Sequence, residues 1–255
     1  MRDILEAVAS GELSPAAAEA RLAGYASTDA GRFDAAREHR RGVPEAILAD
    51  GKIPEETASL ALTALETTGR ALVTRTDEAT VAAVSERVGE ARPGATVDVD
   101  ERARTVVAHA PGFERPSLEA TVAVVTAGTS DAAAAGEAAT VLREMGATVD
   151  RIDDVGVANI DRALDQREAL RAADALVVAA GREGALPTVV AGMVDAPVVA
   201  LPVSVGYGFG GEGEAALAGM LQSCSVLSVV NVDAGFVAGA QTGLIARAVS
   251  AARDG

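Results

Sequence analysis

Aromatic residues, cysteine and histidine are scarce in this chain of 255 residues, and each shortage excludes a class of structure or chemistry. Aromatics make up 2 % of the sequence and tryptophan is absent, so the core must be built from alanine, valine, leucine and isoleucine. Such a core is typical of a parallel sheet covered by helices of small residues. The single cysteine, Cys224, cannot form an internal disulfide and indicates a reducing compartment. The two histidines, His39 and His109, offer no metal-ligand spacing with it.

Basic residues are also few, since 22 of them face 37 acidic residues and Lys52 is the only lysine. The resulting net charge of −15 repels nucleic acid and anionic membranes, so neither is an expected partner. An acidic surface of this kind is typical of proteins that work in high salt, where self-repulsion is screened. No apolar run is long enough to span a bilayer, and the first residues lack a signal-peptide core, so we expect a cytoplasmic protein.

Two prolines and a glycine in residues 111–116 interrupt the hydrophobic pattern and predict a domain boundary between residues 1–112 and 117–255. The first domain is predicted to be a small α/β domain with a helical leader at 1–23 and a polar linker at 24–31. Its further predicted elements are strands at 46–49 and 71–74, helices at 54–68 and 77–88, and a hairpin of 96–99 with 105–108.

The second domain alternates strands with helices. Strands are predicted at 121–126, 147–152, 174–180, 197–201 and 227–232, and helices at 130–145, 161–171, 185–194, 212–223 and 236–252. This alternation predicts an α/β fold with a doubly wound, flavodoxin-like parallel sheet of five strands, beside the smaller N-terminal α/β domain. The ligand crevice of such a sheet lies at the carboxyl ends of its first and third strands.

Glycine-rich, anion-friendly loops follow the strands at that crevice. Gly128, Thr129 and Ser130 precede Asp131 after the first strand, and the pattern leaves Asp131 open as a helix cap or as a base. Arg182 and Glu183 follow the third strand. Residues 202–211, after the fourth strand, form a flexible loop that is not a Walker A loop, because no Gly-Lys-Ser/Thr follows. Cys224, predicted to end a helix just before the fifth strand, is either a nucleophile or a small core residue.

Several ordered motifs of the chain resemble the LarB family of nickel-pincer cofactor biosynthesis, whose C-terminal domain is related to the purine-pathway carboxylase/mutase. In the second half these motifs are Gly-Thr-Ser-Asp131, Asp154-Val-Gly-Val157, Gly184-Ala-Leu-Pro187, Ser204-Val-Gly-Tyr-Gly208, Met220-Leu-Gln-Ser-Cys224 and Asn231-Val-Asp233. In the first half they are Arg40-Arg-Gly-Val-Pro-Glu45, Asp50-Gly-Lys52 and Val73-Thr-Arg75. The sequence departs from the family pattern at Val226-Leu227, after the cysteine, and at Ala234 and Val237.

The resemblance implies an enzyme that carboxylates the pyridinium ring of nicotinic acid adenine dinucleotide and hydrolyses its phosphoanhydride to release AMP. It implies that Cys224 adds to the ring, that Glu183 handles carbon dioxide or the ring proton, and that Asp131 is catalytic. The implied substrate-binding residues are Gly128, Thr129, Ser130, Arg182, Gly184, Ser204, Gly206, Tyr207, Gly208, Asn231 and Asp233.

The resemblance also implies carbon dioxide or bicarbonate as co-substrate, Mg²⁺ held mainly by substrate phosphates, and a homo-oligomer, an octamer assembled through the C-terminal domain. No metal site is readable from the sequence, although Asp131, Asp154 or Asp233 could serve a magnesium ion. A neighbouring subunit is expected to supply Cys224, because a helix end lies at the edge of the sheet opposite to Glu183.

Two alternatives remain open on the sequence. One is a carboxyaminoimidazole ribonucleotide mutase, but those enzymes carry a histidine before Leu-Pro, where Ala185 stands here. The other is a non-catalytic nucleotide-binding module, which fold alone does not exclude. The role of Arg40, Arg41 and Glu45 is likewise open between an inter-domain ion-pair cluster and part of the dinucleotide site.

Overall fold

A computed structural model describes residues 2–253, and the chain splits into two compact units, one ending at Glu114 and the other beginning at Arg115. Each unit is an α/β structure with its own sheet and its own core.

The first unit contains helices that cover one face of a mixed sheet. Its helices are α1 (Arg2–Ala9), α2 (Pro15–Ala23), α3 (Arg37–Arg41), α4 (Pro54–Thr68) and α5 (Glu78–Ala91). Its strands are β1 (Ala26–Thr28), β2 (Gly31–Phe33), β3 (Ile47–Leu48), β4 (Arg70–Thr74), β5 (Thr96–Asp100) and β6 (Thr105–His109). In the part of this unit that the structure describes, β3, β4, β6 and β5 form one sheet in that order, with only β3 and β4 parallel.

The prediction of a linker at 24–31 is wrong, because β1 and β2 pair there as an antiparallel hairpin. The pairing places Ala26 opposite Phe33, whose ring is buried in the core of this unit. The strands are short and polar, so their hydrophobic pattern does not reveal them, and the long-range packing of Phe33 stabilises the hairpin.

The second unit has a longer, regular alternation. Its strands are β7 (Thr121–Thr126), β8 (Thr148–Ile152), β9 (Ala175–Ala180), β10 (Val198–Pro202) and β11 (Ser228–Val229). Its helices are α6 (Ala132–Glu144), α7 (Ile160–Leu164), α8 (Arg167–Ala172), α9 (Ala185–Ala191), α10 (Glu214–Leu221) and α11 (Gly235–Arg253). Short 3₁₀ turns at Thr129–Asp131 and Val157–Asn159 precede α6 and α7.

The described part of the second unit contains one sheet of five parallel strands in the order β11-β10-β9-β7-β8. If the five strands are numbered 1 to 5 along the chain, their order across the sheet is 2-1-3-4-5, which confirms the predicted flavodoxin-like, doubly wound fold. Helices α6 and α11 pack on one face of the sheet, against Val124, Val177 and Leu201. Helices α8, α9 and α10 pack on the other face, against Val125 and Val178.

Several predicted boundaries of this unit are wrong, and the helix predicted at 185–194 ends at Ala191. The helix predicted at 161–171 is two helices that meet at Asp165 and Gln166, where no glycine or proline marks the break. The helix predicted to reach residue 223 ends at Leu221. The strand predicted at 227–232 is a strand only at Ser228–Val229, because the side-chain oxygen of Asn231 accepts a hydrogen bond from the Val232 amide and turns the chain.

Among residues 2–253, none of the helices combines the length and the apolar character that a membrane-spanning segment requires.

Candidate active site at the carboxyl edge of the parallel sheet

A cleft of about 260 Å³ lies between the loops that follow β7, β8, β9 and β10. Its polar lining comes from Ser130, Asp131, Arg162, Arg182 and Glu183. These loops meet because the carboxyl ends of parallel strands share one edge of the sheet. The cleft is smaller than the pockets that usually enclose whole ligands, which measure about 300–1,000 Å³, so it suits one part of a larger molecule.

Asp131 is the most buried charged side chain of the cleft, with only 3 % of its surface exposed. Its Oδ2 atom accepts a hydrogen bond of 2.8 Å from the Gly128 amide, and this bond closes the turn between β7 and α6. Burial raises the pKa of the Asp131 carboxyl above its usual value, although the backbone amides of Gly128, Gly181 and Ala127 oppose the shift. The negative charge of Asp233 raises it further. Asp131 is therefore a carboxyl group whose proton is held more tightly than usual.

The loop after β9 presents Arg182 and Glu183 to the cleft. Arg182 adopts a left-handed backbone conformation with φ of +54°, which is uncommon for a residue with a side chain. Gly184 follows with φ of +67°, and its α-carbon packs directly against the backbone of Ala216 on α10. The side chains of Arg182 and Glu183 are exposed, whereas Gly184 is buried against α10 and fixes the loop. Strained backbone of this kind is often found at functional sites.

The loop after β10 connects the cleft to the segment that follows β11. The Ser204 amide donates a hydrogen bond of 3.0 Å to Oδ1 of Asp233. Asp233 also has a left-handed φ of +53°. Further along this loop, the guanidinium of Arg182 lies 4.3 Å from the centroid of the Tyr207 ring. A hydrogen bond from Arg182 lowers the pKa of the exposed Tyr207 hydroxyl.

Arg162 is a cleft residue that the sequence patterns did not indicate. Its Nη1 and Nη2 atoms donate to the carbonyl oxygens of Asp154 and Gly156, at 3.2 and 3.1 Å, and Nη1 also contacts Oδ1 of Asp154 at 3.1 Å. These bonds hold the turn after β8, where Asp154 has a φ of +60°. The one available signal was that this arginine follows the second strand, at the same edge as the other site residues.

Cys224 lies in the loop between α10 and β11, and its side chain is exposed. The alternative interpretation of Cys224 as a core residue is therefore wrong. The next residue, Ser225, donates a hydrogen bond of 3.3 Å from its hydroxyl to the carbonyl oxygen of Thr188 on α9. Because β11 is parallel to β10, this loop leads into the amino end of a strand, and Cys224 does not line the cleft.

The structure brings some of the predicted site residues together and leaves others apart. Those lining the cleft are Gly128, Ser130, Asp131, Arg182 and Glu183. Ser204, Tyr207 and Asp233 adjoin it through the contacts described above. Of the described residues, the predicted site residues that do not line the cleft are these three together with Thr129, Gly184, Gly206, Gly208, Cys224 and Asn231.

Comparison with known proteins gives two matches that together span most of the chain. Residues 25–110 match the LarB/PurE-like N-terminal domain, and residues 121–255 match the AIR carboxylase family. The chain belongs to the LarB family, with an AIR carboxylase C-terminal domain. An uncharacterised relative, protein MJ0165 of Methanocaldococcus jannaschii, is 35 % identical over 220 residues, which are 85 % of this chain and 84 % of the relative. The LarB and AIR carboxylase domains indicate an enzyme of the carboxylase/mutase type.

The arginine-rich motif of the LarB N-terminal domain forms ion pairs within the first unit. Arg40 contacts Oδ2 of Asp34 at 2.7 Å, and Glu45 accepts a hydrogen bond of 2.7 Å from Arg37. These pairs are partly exposed, so each contributes little to stability, about 0–1 kcal/mol. In this LarB-family chain the pairs connect α3 to the segments on either side of it.

The side chains of this LarB-family cleft do not form a complete metal cage. Among residues 2–253, no group of three or more His, Cys, Asp and Glu side chains could hold a metal ion. Asp154 is paired with Arg162, whereas Asp131 and Asp233 are close enough to interact electrostatically. This donor set fits a magnesium ion that takes one or two carboxylates and obtains its other ligands from phosphates and water.

Proposed function

We propose that this LarB-family enzyme carboxylates the pyridinium ring of nicotinic acid adenine dinucleotide and hydrolyses the phosphoanhydride, giving pyridinium-3,5-biscarboxylic acid mononucleotide and AMP. The observation that carries the proposal is the exposed thiol of Cys224 in a chain whose carboxylase domain has a cleft lined by Asp131, Arg182 and Glu183. An exposed thiol can act as a nucleophile, which a core cysteine cannot.

The thiol has a chemical reason to be there. A pyridinium ring is electron-poor and does not attack carbon dioxide. When the Cys224 thiolate adds to a ring carbon, a C–S bond forms and an electron pair moves to the ring nitrogen, which leaves a neutral dihydropyridine with enamine character. The enamine carbon then attacks carbon dioxide and forms the new C–C bond. Covalent catalysis thus divides one difficult step into easier ones.

Glu183 is proposed to take the proton from the carboxylated carbon, since it is a carboxylate exposed at the cleft. Expulsion of the thiolate then restores the aromatic ring, so Cys224 is regenerated and one proton is released for each carboxylation. Water cleaves the phosphoanhydride and AMP leaves. Mg²⁺, held by the substrate phosphates with Asp131 or Asp233, would stabilise negative charge on the phosphate oxygens.

Subunit assembly is part of the proposal, because Cys224 does not line the cleft and precedes a strand, whereas the cleft lies where the strands end. We propose that a second copy supplies Cys224, within a homo-octamer formed by the C-terminal domain. Two apolar side chains beside Cys224 support an interface at this place, since Leu221 is 64 % exposed and Val226 is 95 % exposed. The alternative of a carboxyaminoimidazole ribonucleotide mutase is less well supported, because Ala185 lines the cleft at the position where those mutases carry a histidine.

Reconstitution tests the reaction. The protein is incubated with nicotinic acid adenine dinucleotide, bicarbonate and Mg²⁺, and AMP and the carboxylated mononucleotide are measured by mass spectrometry. Cys224→Ser should abolish carboxylation, whereas Ser225→Ala, a change at the neighbouring residue, should retain it. Because Cys224 is the only cysteine, a covalent adduct of ring and protein maps to one site. A Cys224→Ser enzyme that carboxylates at the wild-type rate would contradict the mechanism.

Complementation tests the shared site. Cys224→Ser and Glu183→Gln variants, each inactive alone, are unfolded, mixed and refolded together. If the site lies between copies, statistical mixing places both intact residues in about one site in four, and activity returns. If each chain builds its own complete site, every mixed assembly stays inactive.

A further inference from the structure

The guanidinium cation of Arg182 packs on the Tyr207 ring in the free protein. The guanidinium carbon of Arg182 lies 4.3 Å from the ring centroid, well within the distance at which a cation is attracted to an aromatic face. Tyr207 itself is 81 % exposed, so the other face of the pair is open to solvent. Arg182 lines the cleft, which places the Tyr207 ring at its mouth.

The backbone on either side of this pair differs in how it is fixed. The first part of the loop is tied to β9 by hydrogen bonds of 3.0 Å, from the Val203 amide to the Ala180 carbonyl and from the Arg182 amide to the Val205 carbonyl. Beyond Val205 the loop is rich in glycine, and glycines with positive φ follow at 208, 210 and 213. Glycine allows this part of the loop to change conformation at low cost. The Arg182–Tyr207 contact therefore connects a fixed segment to an adaptable one.

We propose that Tyr207 is the platform for the cationic ring of the substrate, and that the Arg182 guanidinium occupies the place that this ring takes on binding. This inference rests on the proposed function, which supplies a substrate with a pyridinium cation, a ring carboxylate and phosphates. The ring replaces the guanidinium on the Tyr207 face, and the guanidinium turns to a substrate carboxylate or phosphate, to which arginine binds well. A neutral ring would displace the guanidinium without replacing its contact, so the pair selects for ring charge.

A pair of ligands that differ only in ring charge tests this selection. Nicotinic acid mononucleotide carries the pyridinium cation, and its C-nucleotide analogue carries a benzoate ring of the same shape, carboxylate and ribose phosphate. Calorimetry on the full-length protein should give about fivefold tighter binding of the cation, a factor that corresponds to about 1 kcal/mol. Tyr207→Phe keeps the aromatic face and should retain this ratio. Tyr207→Leu keeps the apolar bulk and should reduce the ratio to about one.

The first unit provides a matched control, because Arg32 lies over the Tyr25 ring at 5.1 Å in the same type of contact. Tyr25→Leu should leave the ratio unchanged. The protein has two tyrosines and no tryptophan, so Tyr25→Phe leaves Tyr207 as the only source of tyrosine emission. The cationic ligand should alter that emission and the neutral analogue should not.

Equal binding of the two ligands, a ratio that survives Tyr207→Leu, or no binding of either ligand overturns the inference. Those results leave the proposed reaction open, because AMP release and carboxylation are measured separately. Conversely, charge selection by a protein that releases no AMP would refute the proposed function and keep Tyr207 as a cation platform.

Discussion

Gly219 provides a sharp test of how the packing of α10 positions the candidate site. It lies inside α10 and is exposed, as Gly89 is inside α5. By helix propensity alone, alanine should stabilise both positions by about 1 kcal/mol. The surroundings differ, however. A Cβ atom on Gly89 has no neighbour within 4 Å, whereas one on Gly219 would overlap the carbonyl oxygen of Glu183.

The size of the effect follows from that overlap. The Gly219 Cβ would lie closer to Glu183 than 3.0 Å, a distance below which real Cβ atoms essentially never approach another atom. The atom it meets is backbone, so α10 or the loop after β9 must move. Overpacking of this kind costs about 1–3 kcal/mol, which exceeds the gain in helix propensity. We expect Gly219→Ala to destabilise the protein by about 1 kcal/mol and Gly89→Ala to stabilise it by about 0.5–1 kcal/mol.

The functional consequence should be larger than the change in stability. A displacement of Glu183 by about 1 Å can reduce the rate about a hundredfold. Urea unfolding followed by far-ultraviolet circular dichroism measures stability, and AMP release measures activity. If Gly219→Ala is as stable as Gly89→Ala and fully active, the close packing of α10 on Glu183 is refuted. The stability measurement stands even if the proposed reaction is wrong.

Three further predictions concern charged residues. Burial raises the pKa of Asp131 in the folded protein, so its ionisation disfavours folding as the pH rises. The unfolding free energy of Asp131→Asn relative to wild type should therefore increase as the pH rises above about 4 and become constant above the folded-state pKa. A hydrogen bond from Arg253 lowers the pKa of Asp174, which also accepts a hydrogen bond of 2.8 Å from the Thr121 amide. Asp174→Ala should therefore lower the free energy of unfolding in urea by about 1–3 kcal/mol at pH 7. The difference from wild type should shrink as acid protonates the wild-type carboxylate. Arg162→Gln should raise KM about tenfold by freeing the turn after β8, with a smaller effect on kcat; an unchanged KM would contradict that role.

The architecture of the second unit could be predicted because its strands are continuous apolar runs bounded by glycine-rich turns. All six residues of β9 are buried, and a parallel strand buried on both faces is a continuous apolar run that is easily recognised in the sequence. The order of strands was predicted because an alternation of five strands with helices suits the flavodoxin-like order. Short elements without such a signal were not predictable. The hairpin of β1 and β2 depends on where Phe33 packs, and the end of β11 depends on a side-chain hydrogen bond of Asn231.

The candidate site divides in the same way. Asp131, Arg182 and Glu183 could be placed together from the sequence because each follows a strand at the same edge of the sheet. The importance of Arg162 could not, because its carbonyl partners are set by the fold of the turn after β8. The close approach of Gly219 to Glu183 is likewise a tertiary contact, and propensity gives the opposite expectation there.

The position of Cys224 follows from the direction of the chain. In a parallel sheet each helix carries the chain back towards the amino ends of the strands, and Cys224 follows α10 and precedes the amino end of β11. The acidic and arginine residues of the cleft, by contrast, follow strands and lie at the carboxyl edge. This placement is the reason for the proposal that a thiol from another copy serves the cleft, and the exposed apolar side chains of Leu221 and Val226 provide a surface for such a copy to cover.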